Sequence, residues 1–472
     1  MNAVNVIKNE NAIEGQERKL ELREKIACAI SGGPATFHYQ MMQMFLLFFY
    51  TDVMKVSAAY VAGLFLVVRI FDAVLAPVFG ALIDRITTPW GKYKPWFLIL
   101  GLPLGIFGWL TFTDFNLSPT GKLVYVAVTY TLYSVMGAIG NAPAAAITPA
   151  ITKRVDERVS MGQLGFFTVI IGALLVGTAV QPIYKGLGGG NDAKGFSLLM
   201  AAVAVITILI ALFQVFTLKE RYIVEKNKDE KAPSFKQMFV AVFTNRTAVI
   251  VYVYGFATSL GNGIRAAVSL HYFKYFFHNE GLMAITGIIA LVPSLIGVAL
   301  SGKVTKHFGI KPVVMTSVFT SVVSMASLIL IPPTSTGIIA FIGISFIATL
   351  IGGMSSPAQG TMMPAAMDYT EWKSGININA FMGSINGFMQ TLATAVSGAI
   401  AAGALALIGY VPGVEQSSST IFGLKLVMSI LPAIFIAFTA CVMWFDLTEE
   451  KQAQITKELA ERRKNAEVNV TI

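Results

Sequence analysis

Asp72 and Arg69 stand three residues apart inside a long apolar stretch. A helix there sets a carboxylate and a guanidinium on one face, where an unpaired charge is costly. Ionisable groups in such surroundings are functional by default; the alternative is a structural ion pair that only sets helix packing. His38 lies in another apolar stretch, and a histidine ordinarily titrates near neutral pH. That equips it to carry a proton together with Asp72, or to serve as a hydrogen-bonded packing residue. Arg265 is a third charge among apolar neighbours. Its planar fork of donors suits the carboxylate or sulfonate of a ligand, or a carboxylate of the same chain. Gln40, Gln43, Asn141, Asn262, Asn386 and Gln390 are further polar groups in apolar surroundings. Such side chains hold hydroxyls and pass protons. There is no phosphate-binding glycine loop with its Lys and Ser/Thr, and no cluster with metal-ligand spacing, so no enzyme, cofactor or metal site is expected. Cys28 and Cys441 form neither a disulfide framework nor a metal site and read as apolar filler.

Composition indicates what positions these groups. Of 472 residues 55% are hydrophobic and only 13% charged, so water is not the only solvent. The apolar residues come in runs of about 20, the length a helix needs to cross roughly 30 Å of hydrocarbon. Residues 123–152, 162–184 and 195–218 contain no Asp, Glu, Lys or Arg. Residues 312–367 are also uncharged, and the turn sequence Pro332-Pro333-Thr334-Ser335-Thr336-Gly337 divides them into two spans. Spans are expected near 26–50, 57–83, 95–113, 123–150, 162–184, 196–218, 247–273, 281–302, 313–331, 337–365, 380–409 and 422–445. The ten-residue alternation of a membrane barrel is absent, which leaves helices as the way to satisfy backbone groups in lipid. The expected fold is an all-α membrane protein with twelve transmembrane helices. Residues 1–25 are polar and do not form a secretory signal.

Lys and Arg collect in the loops that share a side with both termini, while the opposite loops hold Lys55, Lys122, Lys185, Lys194 and Lys274. Both termini are therefore expected in the cytoplasm. That asymmetry accounts for the net charge of +9 without a nucleic-acid partner. The longest polar insertion follows six spans and precedes six more. It divides the chain into a cytoplasmic segment 1–25, a six-helix half 26–218, a cytoplasmic linker 219–245, a second six-helix half 246–445 and a cytoplasmic tail 446–472. An internal repeat supports the cut. Gly80 and Asp84-Arg85, then Gly91-Lys92-Tyr93-Lys94-Pro95, follow span 2; Gly302-Lys303, then Gly309-Ile310-Lys311-Pro312, follow span 8. This pattern resembles the loop signature of the major facilitator superfamily and implies a latch of Asp84 with Arg85, Lys92 and Lys94. The plainer alternative is a charged turn obeying the positive-inside bias.

Four dispersed stretches sharpen the resemblance. They are Tyr50-Thr51-Asp52-Val53; Arg69-Ile70-Phe71-Asp72-Ala73 with Trp90-Gly91-Lys92-Tyr93-Lys94-Pro95-Trp96; Asp368-Tyr369-Thr370-Glu371-Trp372-Lys373-Ser374-Gly375; and Ile408-Gly409-Tyr410-Val411-Pro412-Gly413-Val414-Glu415-Gln416-Ser417. Together they resemble the glycoside-pentoside-hexuronide:cation symporter family, to which melibiose permease belongs. The resemblance implies a sugar and a coupling cation bound near mid-membrane between two halves that rock to expose the site to each side in turn. It implies that Asp72 is the family's first carboxylate on its helix. Sodium-coupled members carry a second carboxylate one turn on, where this chain has Ala76, and amide or hydroxyl ligands at the positions of Leu75 and Ala138. A proton is therefore the expected coupling ion, carried by Asp72 with His38, and a family-type sodium site is not expected. By the same alignment Thr36 and Asn141 replace acidic sugar ligands, and Gly165 or Phe166 and Ala395 replace basic ones. The expected substrate-binding set is Thr36, His38, Asp72, Asn141, Asn262, Arg265, Asn386 and Gln390. Asp368 and Glu371 in one cytoplasmic turn, with Arg154 and Arg158 in its counterpart, form an expected gate with Asp84, Arg85 and Lys92.

The expected function is secondary active import of a glycoside, pentoside or sugar acid with a proton, by a monomer in the bacterial inner membrane. The rivals are an uncoupled sugar uniporter and a carrier of a lipid-type or other organic solute.

Overall fold

Lipid offers backbone groups no partners, so runs of Leu, Ala, Val and Ile without breakers wind into helices. Every long apolar run of this chain does so in the computed structural model, which describes residues 19–86, 88–152, 154–222, 235–376, 378–445 and 449–470. Among these residues the only β pairing is an isolated bridge between Thr88 and Gly91. Contacts divide the chain into two units, Met1–Asn227 and Lys228–Ile472.

The first unit contains α1 (Leu22–Ala29), α2 (Gly32–Met44), α3 (Leu46–Phe48), α4 (Ala58–Arg85), α5 (Lys94–Thr111), α6 (Pro119–Ile151), α7 (Val155–Leu174), α8 (Val180–Gly188) and α9 (Asp192–Thr217). A π-helical turn Phe49–Val53 extends α3, and another, Leu175–Ala179, joins α7 to α8. The second unit contains α10 (Phe235–Phe243), α11 (Arg246–Tyr275), α12 (Leu282–Phe308), α13 (Ile310–Ser327), α14 (Ser335–Ser374), α15 (Asn379–Leu407), α16 (Ser418–Met428), α17 (Ile430–Ala437) and α18 (Glu449–Val470). Among the described residues ten helical stretches are both long and apolar enough to cross a membrane. The other two expected spans correspond to the broken run α1–α3 and to α4. The first breaks before Pro34, which has no N–H to donate back to Ile30. Starts and stops follow local chemistry: Ser118 accepts from the Gly121 N–H ahead of Pro119, and Gly375, with φ at 69°, ends α14.

Two seams bring backbones together without intervening side chains. A Cβ at Gly172 on α7 would collide with the carbonyl of Gly33 on α2. In the second unit, Cβ atoms at Gly297 on α12 and Gly353 on α14 would run into the carbonyls of Leu350 and Ser294. Outward faces are apolar: Phe216, Leu330 and Ile339 are exposed in a way that only lipid satisfies cheaply.

At the end of the first unit that carries the termini-side loops, residues 219–222 are not free linker. Glu220 accepts three backbone N–H bonds at the start of α5, from Lys92 and Tyr93 at 2.8 Å and Lys94 at 2.6 Å. A carboxylate at a helix N-terminus meets both unpaired donors and the positive end of the dipole. Arg221 pairs with Glu24 at 2.7 Å, and the N–H groups of Arg221 and Tyr222 both reach the Ala150 carbonyl. Lys25 pairs with buried Glu157 at 2.6 Å. The first residues of the expected linker therefore staple helix ends together.

The tail also docks. Ile455 and Leu459 of α18 are buried in the core cluster that holds Val442 and Ala366. The Trp372 indole donates to Glu458 at 2.6 Å, and Arg462 donates to the Trp372 carbonyl at 3.0 Å. Trp372, then Gln454, holds the Glu458 carboxyl below its ordinary value of 4.5. A group depressed in the folded state stabilises above its unfolded value, and that contribution is lost as pH falls through the folded value. Acidification below pH 4.5 is therefore expected to loosen α18, read as faster proteolysis within 449–470. Glu458→Gln should be cleaved there at neutral pH as readily as the parent is in acid; equal resistance of the two at neutral pH would refute the contact.

Candidate functional site

In the first unit the polar centre is built by α4 and α6. Asp72 is 3% exposed. Its Oδ2 accepts from Ser134 Oγ at 2.5 Å and from Arg69 Nη1 at 3.2 Å, while Oδ1 is buried with no hydrogen-bond partner. Arg69 also donates to the hydroxyl of buried Tyr130 at 3.4 Å, and its Nε is buried without a partner. Tyr130, Ser134 and Asn141 fall at i, i+4 and i+11 on α6, so they share a face. The side chains of Asn141, Asp84 and Arg85 lie outside what is described.

His38 goes elsewhere. Its Nε2 lies 3.2 Å from Thr207 Oγ1 on α9, and its ring fits beside Gly108 of α5, where a Cβ would sit 2.7 Å from Cε1. Tyr133 flanks it at 5.9 Å between centroids. No hydrogen bond joins His38 to Asp72: His38 Nε2 and Asp72 Oδ2 bond elsewhere, and His38 Nδ1 and Asp72 Oδ1 are buried without a partner. Thr36 lies two residues earlier, about 200° round α2, on the face with Tyr39, Gln40 and Gln43. There Gln43 donates to the Tyr39 hydroxyl at 3.2 Å.

In the second unit, Gly255, Ser259 and Asn262 share one face of α11. The absent side chain at Gly255 leaves room for Asn386 and Gln390 of α15, and Ser259 donates to Gln390 at 3.0 Å. One turn on, Asn262 and Arg265 open into a cavity of about 170 Å³ walled by α11, α13 and α14. Ser321, Ser324, Ser345 and Thr349 also line it, so Arg265 shares the cavity with hydroxyl-bearing residues. Among the described residues no ion pair engages Arg265.

The expected gate residues belong to both units, Asp84, Arg85, Lys92, Arg154 and Arg158 to the first and Asp368 and Glu371 to the second. Lys92 uses its backbone N–H on Glu220, and its ammonium lies 5.3 Å from the centre of the Tyr93 ring. Arg158 donates to the Thr152 carbonyl at 3.0 Å, and the Arg154 N–H to the Thr152 hydroxyl at 3.1 Å. Asp368 and Glu371 do not sit in a turn. They lie on the last turns of α14, which runs on to Ser374 because nothing before Gly375 stops it. Ser134, Ser259 and Glu220 are contributors that sequence reasoning missed. Ser134 had a usable signal, standing two turns before Asn141; Glu220 had none, because its partners are backbone groups.

The sequence that builds these two helical units matches a known family. The family described as MFS/sugar transport protein aligns with residues 28–448. The chain belongs to this family. Its members are transporters and not enzymes, and the alignment bears out the resemblance to sugar symporters. This MFS sugar transport protein is 27% identical to the isoprimeverose transporter of Lactiplantibacillus pentosus, over 93% of this chain and 91% of that one. It is also 27% identical to the inner membrane symporter YicJ of Escherichia coli (strain K12), over 96% and 98%. Its fold is similar to that of a D-xylose-proton symporter, with a TM-score of 0.61, 16% identity, and coverage of 88% of this chain and 96% of the other.

Proposed function

We propose that this protein imports a sugar together with a proton, by alternating access, as a monomer in the inner membrane with both termini in the cytoplasm. The cargo class is a glycoside, pentoside or sugar acid. The observation that carries the reading is Asp72: one oxygen is held by Ser134 and Arg69, and the other is buried and bare. A buried carboxylate oxygen without a donor is costly unless a proton, cation or substrate hydroxyl visits it. The names of the isoprimeverose transporter and of the symporter YicJ support sugar cargo and symport. Ala76, in place of a second carboxylate, favours a proton over sodium.

The test is accumulation of labelled glycosides in intact cells with and without a proton ionophore, at fixed sodium and over a pH series. Concentrative uptake that collapses with the ionophore and follows pH is expected. Strict sodium dependence would overturn the proton. Equilibration without accumulation, indifferent to the ionophore, would establish uniport, the second reading that Ala76 favours.

A further inference from the structure

A second cavity, of about 400 Å³, lies in the Lys228–Ile472 unit between the short helix α10 and the end of α14. Two lysines from different elements reach it, Lys236 on α10 and Lys373 on α14. Neither joins an ion pair among the described residues. Its wall is held firmly: buried Asn245 donates to Thr370 at 2.7 Å and caps the Thr247 N–H at 3.0 Å. The hydroxyls of Thr244 and Ser374 are spent on the carbonyls of Val240 and Thr370. The two ammonium groups are thus the charge this cavity offers; Gln237 also lines it, and Val240, Ala241 and Ile376 supply its apolar wall.

Helix α10 says what kind of surroundings the cavity opens to. Val242 is fully buried, and Met238 and Ala241 pack on the same core. The opposite face presents Phe239, Val240 and Phe243, each more than 40% exposed, with the two phenyl rings 4.3 Å apart. Aromatic and aliphatic groups beside a lysine, on a short helix that follows a charged linker, are the pattern of a helix lying in the headgroup layer. A cationic cavity at that depth attracts an anionic headgroup, while its apolar wall accepts the adjoining glycerol and upper acyl carbons.

We infer that Lys236 and Lys373 form a binding site for the phosphate of an anionic phospholipid from the leaflet on the termini side. The site is independent of the sugar pocket and of the coupling ion. Recognition there is by charge from two flexible stems, which selects a headgroup of the right sign without fixing its orientation.

The test is lipid retention. The full-length protein is placed in nanodiscs of mixed phosphatidylglycerol and phosphatidylcholine, extracted gently, and the lipid that remains is measured by native mass spectrometry. The parent is expected to keep phosphatidylglycerol selectively, and Lys236→Gln/Lys373→Gln to lose it by about tenfold, each lysine near the surface contributing comparably. Both side chains are exposed, so thermal unfolding of the variant should match the parent. Val240→Trp obstructs the cavity with an indole and keeps both charges; it is expected to lose the lipid as well. Equal retention by the double lysine variant overturns the site, and retention by Val240→Trp overturns the cavity as its location. Displacement of the lipid by excess inorganic phosphate would show that a free anion, not a headgroup, is the ligand, and would overturn the lipid assignment.

Discussion

Asp72→Asn is expected to fold, insert and let sugar equilibrate, yet to hold an accumulation ratio of about 1, because coupling is a free energy shared between two ligands and one of them can no longer bind. The amide keeps an oxygen to accept from Ser134 and Arg69, so the local geometry has little reason to change. What it loses is the ability to exchange a proton at the bare Oδ1. The measurement is counterflow, which needs no coupling, beside concentrative uptake, which does. Counterflow retained with accumulation lost is the expected pair of results. Normal accumulation by the variant would remove Asp72 from the coupling step, and loss of both would reduce it to the structural partner of Arg69.

Arg265→Gln is expected to separate cargo classes. A guanidinium in a cavity lined by Ser and Thr, with no described carboxylate paired to it, carries a desolvation cost that an anionic substrate would offset. Charge-assisted hydrogen bonds contribute about 1.5–3 kcal/mol each, so uptake of a sugar acid should fall by roughly 10–100-fold while a neutral glycoside is little affected. The empty protein should melt at a higher temperature, since an unpaired charge has left the membrane interior. Parallel loss of both cargos would instead assign Arg265 to packing. Competition between uronic acids and neutral glycosides in the parent provides the same comparison without a mutation.

The sequence displays what depends on composition and spacing. Helices appear where apolar runs predicted them, and Asp72 with Arg69 at i, i+3 form the pair their spacing implied. His38 was not legible, because its destination depends on Gly108, seventy residues away, leaving a ring-sized gap on α5. Glu220 and Arg221 look like linker in the sequence for a similar reason: charges just past the last apolar residue look solvated until the N–H groups of Lys92, Tyr93 and Lys94 are brought under Glu220 and Glu24 under Arg221. Ser134 was half legible. Its helical phase places it with Asn141, but a serine in an apolar helix looks neutral until a carboxylate is found within reach. Grouping by helical face is visible in one dimension; pairing across helices is not.

The glycine seam between α12 and α14 also has a mechanical reading. With the backbones in direct contact at Gly297 and Gly353, no rotamer can take up slack there, so the seam acts as a fulcrum. Helix α14 is 40 residues, about 60 Å, and Ser374 lies roughly 30 Å beyond Gly353. A tilt of about 5° at the fulcrum swings that end by roughly 3 Å, enough to exchange one set of hydrogen bonds for another. Pro357 and Pro364 fall between fulcrum and load, where each removes a backbone bond and makes the arm easier to bend. The load is the stretch with Asp368, Glu371 and Trp372, to which the tail helix is already fastened.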